Sequence, residues 1–142
     1  MTMKAILVVL GVLVLIFVAF QTYVIIGRSD IESYPYQVIE EFEGFELREY
    51  EPRLFTSVQL NTGNFDAASS QGFSVLAGYI FGGNDRGEKI AMTSPVSMSL
   101  EENSTMMFMV PESYKKTTLP VPNQSEIEFV EEPGRKVAVV SF

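Results

Sequence analysis

The chain has 142 residues, room for one domain of ordinary size and too few for two. Ten Lys and Arg stand against eighteen Asp and Glu, a net charge of -8 that argues against a nucleic-acid partner. Cys, His and Trp are all absent, which excludes disulfides, thiolate or imidazole metal sites, Cys nucleophiles and any Ser-His-Asp triad within the chain.

Residues 5–20, AILVVLGVLVLIFVAF, are an unbroken apolar run; Gln21-Thr22 interrupts it and Tyr23-Val24-Ile25-Ile26 resumes it. The span 5–26 would make roughly 33 Å of helix, enough to cross the hydrocarbon core of a bilayer. It is longer than the apolar region of a cleaved signal peptide and ends without a small-x-small site, so a retained single-pass anchor over residues 1–27 is expected, with 5–26 in contact with lipid. Lys4 and the terminal amine precede the span, whereas Arg28 follows it with Asp30 and Glu32 close behind. This bias places the N-terminus in the cytoplasm and the domain on the exocytoplasmic side. From Ser29 onward eight basic residues face eighteen acidic ones. Such a domain is repelled by an anionic membrane surface, and residues 28–33 read as a polar stalk.

Tyr36–Phe42 and Phe45–Tyr50, separated by Glu43-Gly44, have the composition and alternation of strands. Glu51-Pro52 breaks the pattern and residues 54–60 resume it, with Leu54, Thr56, Val58 and Leu60 on one face. Short connections favour a meander of these three antiparallel strands. Next comes a helical period, in which Phe65, Ser69, Phe73, Leu76, Ala77 and Ile80 share a face, Asn64 or Asp66 caps the start and Gly82-Gly83-Asn84 ends the run. Residues 90–100 read as a strand with Ile90, Met92, Val96, Met98 and Leu100 on one face; Pro95 makes it an edge, a bulge or a bend. Strands at 106–110, 126–130 and 136–142, with a long loop over 111–123, complete the domain. Glu49-Tyr50-Glu51-Pro52-Arg53 and Glu131-Glu132-Pro133-Gly134-Arg135 each lead into a strand, a faint internal repeat that suggests one and a half units of a two-unit fold.

Several segments together resemble the SOUL haem-binding family. They are Tyr34-Pro35-Tyr36-Gln37-Val38-Ile39, Phe45-Glu46-Leu47-Arg48-Glu49-Tyr50-Glu51-Pro52, Phe73-Ser74-Val75-Leu76-Ala77-Gly78-Tyr79-Ile80-Phe81-Gly82-Gly83-Asn84, Ile90-Ala91-Met92-Thr93-Ser94-Pro95-Val96, Val110-Pro111-Glu112-Ser113-Tyr114 and Leu119-Pro120-Val121-Pro122. The resemblance implies an α+β domain over residues 34–142, a twisted antiparallel sheet or distorted β-barrel with one packed helix, related to gyrase-inhibitor-like effector domains. It also implies a tetrapyrrole-binding role without established catalysis. Family domains continue into a second helix and returning strands, so the second half is expected to be truncated here. The His that some members are thought to place on iron has no counterpart in this chain.

A haem needs an apolar slot and cations for its propionates. Phe73, Leu76 and Ile80 are candidates for one wall, and Met92, Met98, Met106, Phe108 and Met109 for the other. Arg48, Arg53, Arg86 and Lys89 are candidate propionate partners, and only Met, Tyr or Lys can ligate iron. The same residues also serve as plain core and solvated charge. The acidic stretch from Glu40 to Glu51 alternates between strand faces and forms no metal site. Two other functions stay open: a non-haem small-molecule or protein-interaction module with an unknown partner, and a hydrolase using Glu46, Glu49 or Glu88 as a desolvated base.

Overall fold

The computed structural model describes residues 2–29, 31–61, 64–99 and 104–142. Asp30 of the expected stalk, the Thr62-Gly63 pair before the helix and Leu100 of the expected strand face lie outside them. The chain divides into two units, Met1–Ile31 and Glu32–Phe142.

The first unit is a single helix, α1 (Met3–Ser29), whose stretch Met3–Ile26 is long and apolar enough to cross a membrane. Most of its large apolar side chains are exposed, from Val9 at 48% to Met3 at 79%. Thr22 donates from its hydroxyl to the Val18 carbonyl at 2.8 Å, so this polar group is satisfied within the helix.

The second unit is α+β. Its elements are β1 (Tyr36–Phe42), β2 (Phe45–Tyr50), β3 (Arg53–Gln59), α2 (Phe65–Ile80), β4 (Val96–Ser99), β5 (Thr105–Met109), β6 (Ile127–Glu132) and β7 (Arg135–Val139). They form two antiparallel sheets, ordered β1-β2-β7 and β4-β5-β3-β6. Two expectations are corrected here. The three-strand meander does not form, because the chain turns at Glu51-Pro52 and delivers β3 to the other sheet, where it pairs with β5 and β6. The β-barrel is not found either. Closure requires every edge strand to gain a second neighbour, and among the described residues β1 and β4 each pair with one strand only.

The two sheets join at a corner made twice. β2 passes into β3 through Glu51-Pro52, and β6 passes into β7 through Pro133-Gly134. Because β2 pairs with β7 and β3 with β6, the two bends run antiparallel and side by side, from Tyr50 opposite Arg135 to Arg53 opposite Glu132. The faint repeat in the sequence thus occupies equivalent positions in space. The strands approach so closely that a Cβ on Gly134 would stand 3.2 Å from the Tyr50 carbonyl oxygen and 3.3 Å from Pro52 Cδ. Tyr34 packs into the corner, its ring 4.6 Å from Tyr50 and 5.3 Å from Phe55. On this side Phe55, Met109 and Tyr34 form a small core of their own.

The main core lies on the opposite face of β3 and β5, under α2. Asn64 caps the helix, its Oδ1 accepting from the Asp66 and Ala67 amides at 3.0 and 3.2 Å. The buried face is Ala68, Gly72, Leu76, Ala77, Tyr79 and Ile80, which is rotated from the expected aromatic stripe: Phe65 and Phe73 remain 58% and 42% exposed. In the first half of α2 the small residues Ala68 and Gly72 take the buried face because the helix sits close on the sheet there. A Cβ on Gly72 would lie 2.7 Å from Leu60 Cδ2 and 3.2 Å from Met106 Cβ, leaving no room for a phenyl ring.

The expected strand over residues 90–100 shortens to β4, Val96–Ser99. Pro95, joined to Ser94 by a cis bond, has no N–H for a ladder. Upstream of it the backbone pairs with the start of the domain: the Ser94 amide donates to the Glu32 carbonyl at 2.9 Å, and the Tyr34 amide to the Ser94 carbonyl at 2.8 Å. Here Thr93, not Met92, turns inward and donates to the Met109 carbonyl at 2.5 Å.

Candidate functional site

The expected tetrapyrrole slot lies between α2 and the sheet, and the structure fills that space with side chains. Leu76 is 0% and Ile80 4% exposed, and both pack with Met106 and Phe108 in the main core. The void left there is about 10 Å³, enough for one water, lined by Thr56, Tyr79, Ile80, Ile90 and Phe108 among others. Phe73 stays at the surface, edge-on to Phe108 at 5.4 Å between ring centres. Met98 packs half-buried against the core, Met92 is 38% exposed, and Met109 belongs to the separate cluster under Tyr34. These residues form a packed interface with a partly exposed edge, not an open slot.

The four candidate cations are dispersed. Arg48 lies on the β1-β2-β7 sheet, bonded to Glu46 at 2.8 Å and stacked 4.2 Å over the Tyr36 ring. Lys89 is exposed on the loop that follows α2. Arg86 donates from Nη2 to the Thr118 carbonyl at 2.6 Å and pairs with Glu88 at 3.5 Å. Arg53 borders an open groove.

That groove follows from the corner. Pro52, Arg53 and Leu54 at the start of β3, with Glu131, Glu132 and Pro133 of the second bend, form one side; Tyr114, Lys115, Lys116 and Thr117 form the other. Its volume is about 660 Å³, within the range of small-molecule sites. The facing loop is pinned in place. Tyr114 donates from its hydroxyl to Glu88 Oε1 at 2.5 Å, and its amide donates to the Pro111 carbonyl at 3.0 Å. Thr118 Oγ1 accepts from the Lys115 amide at 2.8 Å and donates to the Lys115 carbonyl at 3.0 Å. The bond to Glu88, and then burial, raises the Tyr114 pKa, so the phenol stays a donor at neutral pH.

Polar groups at this corner are incompletely satisfied. Arg53 meets Glu51 and Glu112 only at 3.8 and 3.6 Å, beyond hydrogen-bond distance, and its buried Nε has no partner. The buried Tyr34 hydroxyl also has none; burial raises its pKa, and Arg135, Glu132 and Arg53 lie within electrostatic range. Glu132 pairs with Arg135 at 3.6 Å. Lys115 and Lys116 are exposed, and neither ammonium has an ion-pair partner among the described residues. Sequence reasoning found Arg53 but passed over Tyr114, Lys115 and Lys116 as loop. The available signal was a pair of adjacent lysines beside a tyrosine in a strongly acidic domain.

The three carboxylates considered as bases do not sit in an apolar pocket. Glu46 is engaged by Arg48, Glu88 accepts from Tyr114 and borders Arg86, and Glu49 is exposed on β2.

The chain is 33% identical over 92 residues to Heme-binding protein 1 of Xenopus laevis, covering 59% of this chain and 48% of that protein. It is 30% identical over 106 residues to Heme-binding protein 2 of Mus musculus, covering 69% and 51%. Over a longer stretch of 126 residues it is 25% identical to Heme-binding protein 1 of Sus scrofa, covering 80% and 66%. The chain thus spans about half the length of the first two relatives. The match to the SOUL heme-binding protein family runs over residues 31–142, the whole of the α+β unit with its corner and groove, and on that extent the chain belongs to this family.

Proposed function

We propose that this chain is a membrane-tethered tetrapyrrole-binding domain that carries, buffers or senses its ligand without catalysing a reaction. The observation that carries the reading is the groove of about 660 Å³ beside the corner, in a family named for haem binding and with relatives named for the same ligand. Its size, its apolar floor and its three cations, with Glu131 and Glu132 on the same rim, are the features that support a flat apolar ring with acidic side chains. With no His or Cys in the chain, affinity rests on burial and charge, and any iron ligand is a Tyr, Lys or Met side chain. The tether is α1, with the N-terminus in the cytoplasm and the domain on the other side, as the order of Lys4, Arg28 and the acids that follow suggests.

Hemin titration of the full chain in lipid nanodiscs, followed at the Soret band, tests this reading. Nanodiscs carrying α1 alone measure uptake by the bilayer. A saturable one-to-one shift above that background is the expected result. Equal, unsaturable uptake by both contradicts the reading and turns attention to protein capture at β1, whose seven residues are all exposed along a free strand edge.

A further inference from the structure

The groove carries one buried donor without an acceptor, beside two lysines and two carboxylates. Arg53 Nε is buried and unpartnered, and the guanidinium reaches its two carboxylate neighbours only at 3.6 and 3.8 Å. A buried donor left this way is costly, so an acceptor is expected at that place. Across the groove, Lys115 and Lys116 present two unpaired ammonium groups on a loop fixed by Glu88, Arg86 and Thr118. Between the two sets lie Pro52, Leu54 and Pro133, an apolar floor. Glu131 and Glu132 stand on the same rim, but Glu132 is turned to Arg135. The three cations of the lining outnumber its two carboxylates by one, in a domain with ten more acidic than basic residues.

We infer that the groove is a carboxylate-recognition site, with Lys115, Lys116 and Arg53 Nε receiving the acidic side chains of a planar amphipathic ligand whose ring lies on Pro52, Leu54 and Pro133. The inference rests on the tetrapyrrole reading above and adds which part of the ligand is read, and by which residues. It also separates this groove from the α2 interface, where Leu76 and Ile80 are already buried.

The test compares protoporphyrin with its dimethyl ester, binding to the full chain in phosphatidylcholine nanodiscs after subtraction of uptake by protein-free discs. The ester keeps the ring and loses both charges. The dicarboxylate is expected to bind at least about tenfold tighter than the ester, and K115E/K116E to abolish that preference. Both lysines are exposed, and an unaltered thermal melt verifies that the variant folds. Tight dicarboxylate binding that the double variant does not weaken overturns the groove assignment and leaves the tetrapyrrole reading standing. Failure of the wild-type chain to bind either porphyrin saturably overturns both.

Discussion

Replacing Val12 and Ile16 together with arginine is expected to move the chain from the membrane fraction to the soluble one. Both positions lie near the middle of the apolar stretch Met3–Ile26 and are exposed on the helix, one turn apart. Each arginine at mid-helix raises the cost of insertion by about 2.5–3.5 kcal/mol, so the pair costs about 5–7 kcal/mol. Long side chains relieve such a cost by snorkelling near helix ends, and these two are too central to do so easily. The substitutions lie outside Glu32–Phe142, so the α+β unit is expected to melt as before. Sedimentation of membranes from cells expressing each form checks this. A double variant that still sediments with membranes and resists carbonate extraction would contradict a spanning helix.

The α+β unit is expected to lose stability in alkali, most of all through one buried phenol. Tyr79 is 0% exposed and donates to the Pro120 carbonyl at 2.8 Å. Burial is the main cause that pushes its pKa up to about 12 from 10.0. Below pH 10 the phenol is neutral in both folded and unfolded chains and has no pH effect. Between pH 10 and 12 the unfolded chain ionises while the folded one does not, so unfolding becomes easier as pH rises. The loss reaches about 2 kcal/mol near pH 12. Tyr79→Phe forfeits the bond to Pro120, a cost of about 1 kcal/mol at pH 7, but removes this sensitivity. Wild type is therefore the more stable form at pH 7 and the less stable one at pH 12. Urea melts of both across that range decide the matter, and parallel curves at every pH would contradict it.

Local patterns in the sequence carried much of the fold. β1 and β2 have the predicted bounds, and the capped helix begins and ends where its period and its Asn-Gly signals place it. Pairing was less legible. Nothing in Glu51-Pro52 distinguishes a hairpin from a corner, because the choice is made by β6 and β7, some eighty residues later. On α2, Leu76, Ala77 and Ile80 of the expected face are buried, whereas Phe65 and Phe73 are not. Large apolar residues mark a buried stripe only where there is room for them, and the close seat on Leu60 and Met106 selects Ala68 and Gly72 over Phe65 and Phe73. The strand over residues 90–100 lost its first half to main-chain bonds with Glu32 and Tyr34, which no periodicity encodes.

The groove shows the same division. Arg53 was legible as a candidate cation. Its setting was not, because the groove exists only where two bends separated by eighty residues meet a loop that tertiary bonds hold open. A slot between α2 and the sheet was the natural reading of a Met- and Phe-rich sequence. The structure places Leu76, Ile80, Met106 and Phe108 in the main core and leaves Phe73 and Met92 partly exposed.

The most direct measurement is the backbone amide spectrum of the labelled full chain in nanodiscs, with and without one equivalent of hemin, whose paramagnetic iron broadens nearby signals. The account predicts broadening of Arg53, Leu54, residues 115–117 and Glu131–Glu132, with the α1 amides unchanged. Broadening confined to Phe73, Met92 and Met98 would place the ligand at the edge of α2 and contradict the groove; broadening confined to α1 would mean that the bilayer, not the domain, takes up the haem.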